Sequence, residues 1–414
     1  MPEENNHLGR NLTLGIVNGI LFYWALAFLS GSTVFPLFLS GLTDSRIIIG
    51  AFSTLEDFGW YLPQFFAGAI IAGRPTVLGY YNKISIVRIL IFGSCVSMIF
   101  VIGNSNHALL LLLFGLLFLA YSVASGMAGI SFMDIMGKMI PTSRRGTLFG
   151  MRMLFGGLLA TLSGPLVKRI LDHWEFPINF GHLYILSFAG IFLGLLVFAF
   201  IKEKPAGSPS QSYMDNLKAG LELYKNYHNL RRLIWARYLS NTYLLAAPFY
   251  IIMAIESLGI SRPMAGTYLS FEMAGFLGAN LLWAWISNKK SNRLVLMLAS
   301  LCALAAPVLA IIASYHNPGY FIYGLTFFIN GAAVGGINLG YNTYLLEIVD
   351  DSNRAMAVGL FHSLIAPTVF TAAIGGLIGQ FVSLRILFYI TVLFLILAFW
   401  NILRLIEPDR KNAG

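Results

Sequence analysis

The sequence has little charge and almost no cysteine. Of its 414 residues only 11% are Asp, Glu, Lys or Arg, less than half the share of an ordinary soluble domain. That scarcity excludes a cytosolic enzyme, a nucleic-acid-binding module and a disordered chain, all of which need a charged, hydrated surface. The two cysteines, Cys95 and Cys302, lie inside apolar runs, so no disulfide framework is implied. Also missing are His-Glu-x2-His, Gly-x-Ser-x-Gly, any Cys/His metal cluster and the phosphate loop Gly-x4-Gly-Lys-Ser/Thr. No catalytic set, metal or cofactor is therefore expected. What is abundant is apolar: 57% of the chain is hydrophobic, and the mean hydropathy is +0.74.

A hydrocarbon core about 30 Å thick takes roughly 20 apolar residues per helix. Runs of that length predict twelve spans, at 13–40, 47–71, 85–103, 108–133, 147–170, 184–202, 233–255, 264–287, 294–315, 319–346, 357–380 and 386–404. The breaks carry turn residues, such as Thr43-Asp44-Ser45 and Asn104-Ser105-Asn106-His107. The first span follows a polar start and ends without a small-residue cleavage pattern, so it reads as a retained helix and not a signal peptide.

The net charge of +9 first invites nucleic acid as a partner, but its distribution argues for a bilayer. With the N-terminus inside, only Arg46, Lys168, Arg169, Arg262 and Arg385 of the 27 basic residues fall outside, which leaves 22 on the inner side. An asymmetry of that size is an orientation signal. It predicts an integral, multi-pass protein of the cell membrane with both termini cytoplasmic and no nucleic-acid partner.

One long polar connection, 203–232, divides the chain into six spans and six, giving domains at 1–202 and 233–414. It opens with Pro205-Ala206-Gly207-Ser208-Pro209-Ser210, a flexible composition. Met214, Leu217, Leu221 and Tyr224 then fall at helical spacing, as in a short amphipathic helix at the inner membrane surface. The halves repeat. Ser45-Arg46-x3-Gly50-x5-Glu56-x2-Gly59 recurs as Ser261-Arg262-x3-Gly266-x5-Glu272-x2-Gly275, at an offset of 216. Asp134 with Gly146 recurs as Glu347 with Gly359, at an offset of 213. Spans six and twelve both exit through a glutamate and a proline, Glu203-Lys204-Pro205 and Glu407-Pro408.

Two parallel six-span halves joined by a long inner loop resemble the major facilitator superfamily of secondary transporters, of the prokaryotic type. The loop after span four is similar to the family's pattern: Asp134-x3-Lys138-x2-Pro141-x2-Arg144-Arg145-Gly146. After span two the family's aspartate is replaced by asparagine in both halves, Asn82-Lys83 and Asn288-Lys289, which weakens its charge latch. Gly164-Pro165 is similar to the antiporter motif of span five, but Lys168-Arg169 stand where paired glycines follow in that motif. The resemblance implies an all-α membrane protein of twelve transmembrane helices in two pseudo-symmetric six-helix bundles. It also implies a midplane substrate site lined by spans one, two, four and five and by seven, eight, ten and eleven. Those helices carry small residues at four-residue spacing, such as Gly331-x3-Gly335 and Gly336-x3-Gly340, which allow close approach.

Ionisable groups inside spans are costly and mark function. Glu56, Asp57 and Glu272 qualify; Glu56 lies about nine residues into its span, roughly 13 Å deep at 1.5 Å per residue. A carboxyl at that depth can load and release a proton, which makes the proton the expected coupling ion, with Glu56 favoured for its acidic neighbour. The alternative for each acid is a structural partner that fixes packing. Arg152 and His362 sit one to two turns into spans five and eleven. The arginine is open to anion binding or to snorkelling toward the surface, and the histidine to titration or to plain packing. Asn18, Tyr121, Asn241, Asn338 and Asn342 bring polar groups to the expected cavity. Asp134, Arg144 and Arg145, echoed by Glu347 and Arg354, are placed for a cytoplasmic gate of ion pairs. The reading is a monomeric, proton-coupled secondary active transporter of a small solute, working by alternating access. Its alternatives are a transport-inactive sensor with the same fold and a facilitative uniporter.

Overall fold

The computed structural model describes residues 2–55, 71, 74–205, 222, 224–316, 319–349 and 354–407. All regular structure among them is helical. The chain divides into two units, residues 1–210 with 261–273, and residues 211–260 with 274–414.

The first unit contains α1 (Pro2–Ala27), α2 (Val34–Leu42), α3 (Arg46–Leu55), α4 (Leu78–Ile102), α5 (His107–Met139), α6 (Thr142–Leu162), α7 (Gly164–His173) and α8 (Ile178–Ala199). Its starts and stops follow the turn residues. The Asn106 side chain accepts from the Leu109 amide at 2.9 Å and so caps α5. At one end of the unit α2 is buried from Val34 to Leu39. There the Phe38 ring lies 5.2 Å from Phe114 and 5.3 Å from both Phe180 and Tyr184. Such aromatic pairs contribute about 0.5–1.5 kcal/mol each beyond burial. That matters more in a bilayer, where lipid offers apolar contact to any helix face.

The second unit contains α9 (His228–Ser240), α10 (Tyr250–Leu258), most of α11 (Met264–Lys289), α12 (Asn292–His316), α13 (Tyr320–Ile348), α14 (Arg354–Ile365), α15 (Thr371–Phe381) and α16 (Leu384–Leu403). Its core joins Leu296, Ala299, Ile337, Tyr341, Phe361 and Leu395. α10 ends at Gly259 in the left-handed region, φ 64°, and the Ile260 amide bonds back to the Ala254 carbonyl at 3.2 Å. A Cβ would be strained at that φ, so glycine closes the helix.

Ten helical stretches among the described residues are long and apolar enough to cross a membrane. The first two expected spans differ. Span one is not continuous over 13–40: it is broken at residues 28–33 between α1 and α2, while span two is described only to Leu55. Three more spans are interrupted, at Ser163 between α6 and α7, at the 3₁₀ turns Asn241–Leu245 and Ala247–Phe249, and at Ala366–Phe370. Each break contains a proline or is followed by one within a few residues: Pro36, Pro165, Pro248 and Pro367. Proline tolerates the first turn of a helix but supplies no amide to a preceding one, so it resets the helix at these points. The spans so broken are one, five, seven and eleven, all members of the set expected to line a cavity.

Candidate functional site

Within the first unit a cavity of about 550 Å³ opens between four helices. α1 contributes Asn18, Phe22 and Leu26 at four-residue steps; α5 contributes Phe118, Ser122, Ser125 and Gly129 along one face; α4 adds Tyr81 and Arg88; α6 adds Arg152. Arg152 lies across α1, where its Nη1 donates to the Gly15 carbonyl at 2.7 Å and to Asn18 Oδ1 at 3.0 Å. A Cβ on Gly19 would run into the Arg152 side chain, so the glycine is what lets the arginine lie there. Asn18 in turn donates to the Gly194 carbonyl at 2.9 Å, which fixes its amide orientation. Its oxygen is thereby left for the guanidinium.

Arg88 is 6% exposed. Its Nε donates to Ser125 Oγ at 3.0 Å, and its guanidinium sits 5.6 Å from the ring centres of both Phe22 and Tyr121. Among the described residues no carboxylate forms an ion pair with Arg88 or Arg152; the ion pairs found there join Lys138 to Asp134 and Glu203. The cavity is cationic and ringed by aromatic groups.

Glu272, also in the first unit, is 6% exposed. One of its carboxylate oxygens accepts from Ser32 Oγ at 2.5 Å and from Ser30 Oγ at 3.3 Å, both in the break between α1 and α2. Thr33 Oγ1 donates to Ser30 Oγ at 2.9 Å and extends the hydroxyl chain. Glu56 and Asp57 lie outside the described residues.

In the second unit Arg237 is 9% exposed. Its Nη2 donates to Asn338 Oδ1 at 3.1 Å, and its guanidinium stacks 5.1 Å from the Tyr341 ring centre. Its Nε and Nη1 are buried and have no hydrogen-bond partner among the described residues. Asn342 donates to the Asn338 carbonyl at 2.8 Å, and Asn241 donates to Thr368 Oγ1 at 2.7 Å, joining two of the helix breaks. His362 is exposed on α14.

The expected gate residues of the first half are arranged differently from the spacing argument. Asp134 pairs with Lys138 at 2.7 Å, one turn along the same helix, and Lys138 reaches Glu203 at 3.4 Å. Arg145 instead donates to the Gly137 and Ile140 carbonyls at 2.8 and 3.1 Å and so closes the end of α5, while Arg144 is exposed. Glu203 accepts from the amides of Val77 (2.8 Å) and Leu78 (2.7 Å) at the start of α4. Its repeat partner Glu407 accepts from Ser291 at 3.1 Å, just before α12. The shared exit sequence is thus a clamp of each last span onto the start of the third span in its half. Glu347 is exposed at the end of α13, and the Arg354 side chain lies outside the described set.

Residues 233–414 match the family model of the Major Facilitator Superfamily. The likeness to that superfamily in sequence thus lies in the second half of the chain. It is similar over 98% of its length, and 99% of the other chain, to the xylose transporter XylE from E. coli, at 13% identity and a TM-score of 0.70. A bacterial homologue of the iron transporter ferroportin superposes with a TM-score of 0.72 at 9% identity, covering 95% and 98% of the two chains. The nucleoside transporter NupG gives 0.70 at 14% identity over 96% and 99%. At these identities the likeness is one of fold. An uncharacterized protein of Mycobacterium tuberculosis, Rv2209, is 22% identical over 266 residues, which is 62% of this chain and 51% of the relative. The chain thus spans about half the length of the curated relatives it matches. With ten candidate spans and the fold of solved major facilitator transporters, it is an integral membrane protein.

Of the residues singled out from sequence, Asn18, Tyr121 and Arg152 come together in the cavity of the first unit, and Asn338 and Asn342 lie beside Arg237. Glu272 forms a separate site with the span-one break. Sequence reasoning missed Arg88 and Arg237 because both were counted among the inner-side charges at the ends of their spans. The signal that marks them is their flanks: Ile86-Val87-Arg88-Ile89-Leu90 and Ile234-Trp235-Ala236-Arg237 are apolar runs, each with one cation inside.

Proposed function

We propose that the protein is a secondary active transporter that moves a small solute by alternating access, coupled to protons, in the cell membrane with both termini cytoplasmic. The observation that carries the transport reading is a largely apolar cavity, with two arginines in its wall, inside a bundle of membrane-spanning helices. A volume of about 550 Å³ falls in the range of small-molecule sites. The broken spans support alternating access, since a helix reset by proline can rock at its break without losing its own hydrogen bonds.

Coupling is assigned to Glu272. Its carboxylate is buried and held by hydroxyls, which can donate to the ionised acid and can reorient to accept from the neutral one. The neutral acid passes a closed state at lower desolvation cost than the anion. Glu56 and Asp57 remain coupling candidates from their depth in span two.

The test begins with a thermal-stability screen of the purified full chain against solute classes, followed by uptake of the ligand so found into proteoliposomes. An inward pH gradient should drive accumulation above equilibrium. Accumulation that persists when the gradient is collapsed would exclude proton coupling, and a ligand that binds but is never taken up would favour a sensor.

A further inference from the structure

The first-unit cavity holds two guanidinium groups whose donors the protein leaves largely unused. Arg88 spends only Nε, on Ser125, and Arg152 spends only Nη1, on Gly15 and Asn18. The remaining nitrogens make no hydrogen bond among the described residues, and both side chains line the cavity. Tyr81 lines the same cavity as both arginines. Cations held inside a membrane bundle are costly unless an anion compensates them, and no described carboxylate does so. A guanidinium with a free pair of N–H groups matches a carboxylate or a phosphate better than it matches a sugar hydroxyl. The rest of the wall is aromatic, with Phe22, Phe118 and Phe132 facing the same space.

We propose that Arg88 and Arg152 form an anion-binding subsite, and that the transported solute is a soluble organic anion, a carboxylate or phosphate on an apolar, ring-bearing body. Asn18 and Ser125 position the two guanidinium groups, and the phenylalanine rings receive the apolar body. The substrate class rests on the transport reading; the anion subsite itself does not.

The experiment compares isosteric pairs on the detergent-purified full chain by calorimetry: 2-naphthoate with 2-naphthamide, and 1-naphthyl phosphate with 1-naphthol. Each anion should bind at least about tenfold more tightly than its uncharged partner, the scale of one charge-assisted hydrogen bond. R88K and R152K keep the charge but lose the planar fork, and each should weaken the anion by about tenfold while leaving 2-naphthamide unchanged. Equal binding within both pairs, or no binding of either anion, overturns the subsite without reference to the folding of any variant. Stabilisation by phosphatidylglycerol and by neither soluble anion would assign the arginines to a lipid headgroup and overturn the solute. Radiolabelled uptake into proteoliposomes separates the two readings. Charge-selective binding without uptake keeps the subsite and removes transport. Uptake of 2-naphthamide as fast as 2-naphthoate keeps transport and removes the subsite.

Discussion

Ser32 Oγ stands 2.5 Å from a carboxylate oxygen of Glu272, joining the break after α1 to α11. The contact depends on the break. Within a helix a serine hydroxyl usually turns back onto its own preceding carbonyl, as Ser94 and Ser97 do on α4. In the turn at residues 28–33 the hydroxyls of Ser30, Ser32 and Thr33 bond to one another and to the acid instead.

A double-mutant cycle tests that bond. S32A removes the shorter donor to a buried carboxylate and should lower stability by about 1.5–3 kcal/mol, the range for hydrogen bonds to charged groups. E272A removes the acceptor altogether and supplies the second side of the cycle. The two should couple by more than about 1 kcal/mol, where independent sites add to within about 0.5. Thermal unfolding in detergent supplies the measurement, and additive effects would dissolve the link. In proteoliposomes E272Q should abolish gradient-driven accumulation while leaving solute counterflow measurable.

Glu203 offers a test of the clamp. Its side chain is 3% exposed and accepts from the Val77 and Leu78 amides and from Lys138. A carboxylate at a helix N-terminus satisfies donors that have no partner within the helix and also meets the positive end of the dipole. E203Q keeps one acceptor, loses the charge and turns a donor toward the amides. The expected loss is about 1–3 kcal/mol, largely insensitive to salt because the group is buried. E407Q, whose partner is one exposed serine contact, should cost less than E203Q in the same assay. The reverse order would mean that the two exits are not the same clamp.

The span pattern was legible in the sequence because a bilayer demands long apolar runs, and ten of the twelve recur as candidate spans. The breaks were less legible. Pro36, Pro165, Pro248 and Pro367 lie within apolar runs, where hydropathy averaging hides them. The same averaging placed the start of the third span at residue 85, although α4 begins at Leu78. The polar string Tyr80-Tyr81-Asn82-Lys83 looks like a loop, yet it forms the first turns of a helix capped by Glu203, a residue distant in sequence. That error put Arg88 at the inner end of its span when it is buried ten residues into the helix. In the first half Asp134 pairs locally, because Lys138 is one turn away on the same helix and an i,i+4 pair orders fewer groups than a pair across a loop.

Topology yields a further expectation. Reporter fusions after Gly207 and Asn412 should both signal the cytoplasm, since the basic residues favour that side by 22 to 5. An external signal at either point would reverse the proposed orientation and with it the side from which the proton enters.

Arg237 separates stability from function. Its Nε and Nη1 are buried without partners among the described residues, and its hydrogen bond goes to an Asn338 that is itself exposed. Leaving two donors unpaired costs more than one neutral acceptor and one ring contact return. R237M fills a similar volume, removes the orphaned donors and leaves Asn338 able to meet solvent. It should therefore raise stability by about 1–3 kcal/mol, as replacement of buried charges by apolar groups often does, while reducing uptake of any solute the protein carries. A residue kept at such a cost is one on which function depends. Differential scanning fluorimetry in one detergent, with uptake measured on the same preparations, reads both quantities. A variant that is less stable by more than about 1 kcal/mol and yet transports normally would make Arg237 a structural cation held by Tyr341.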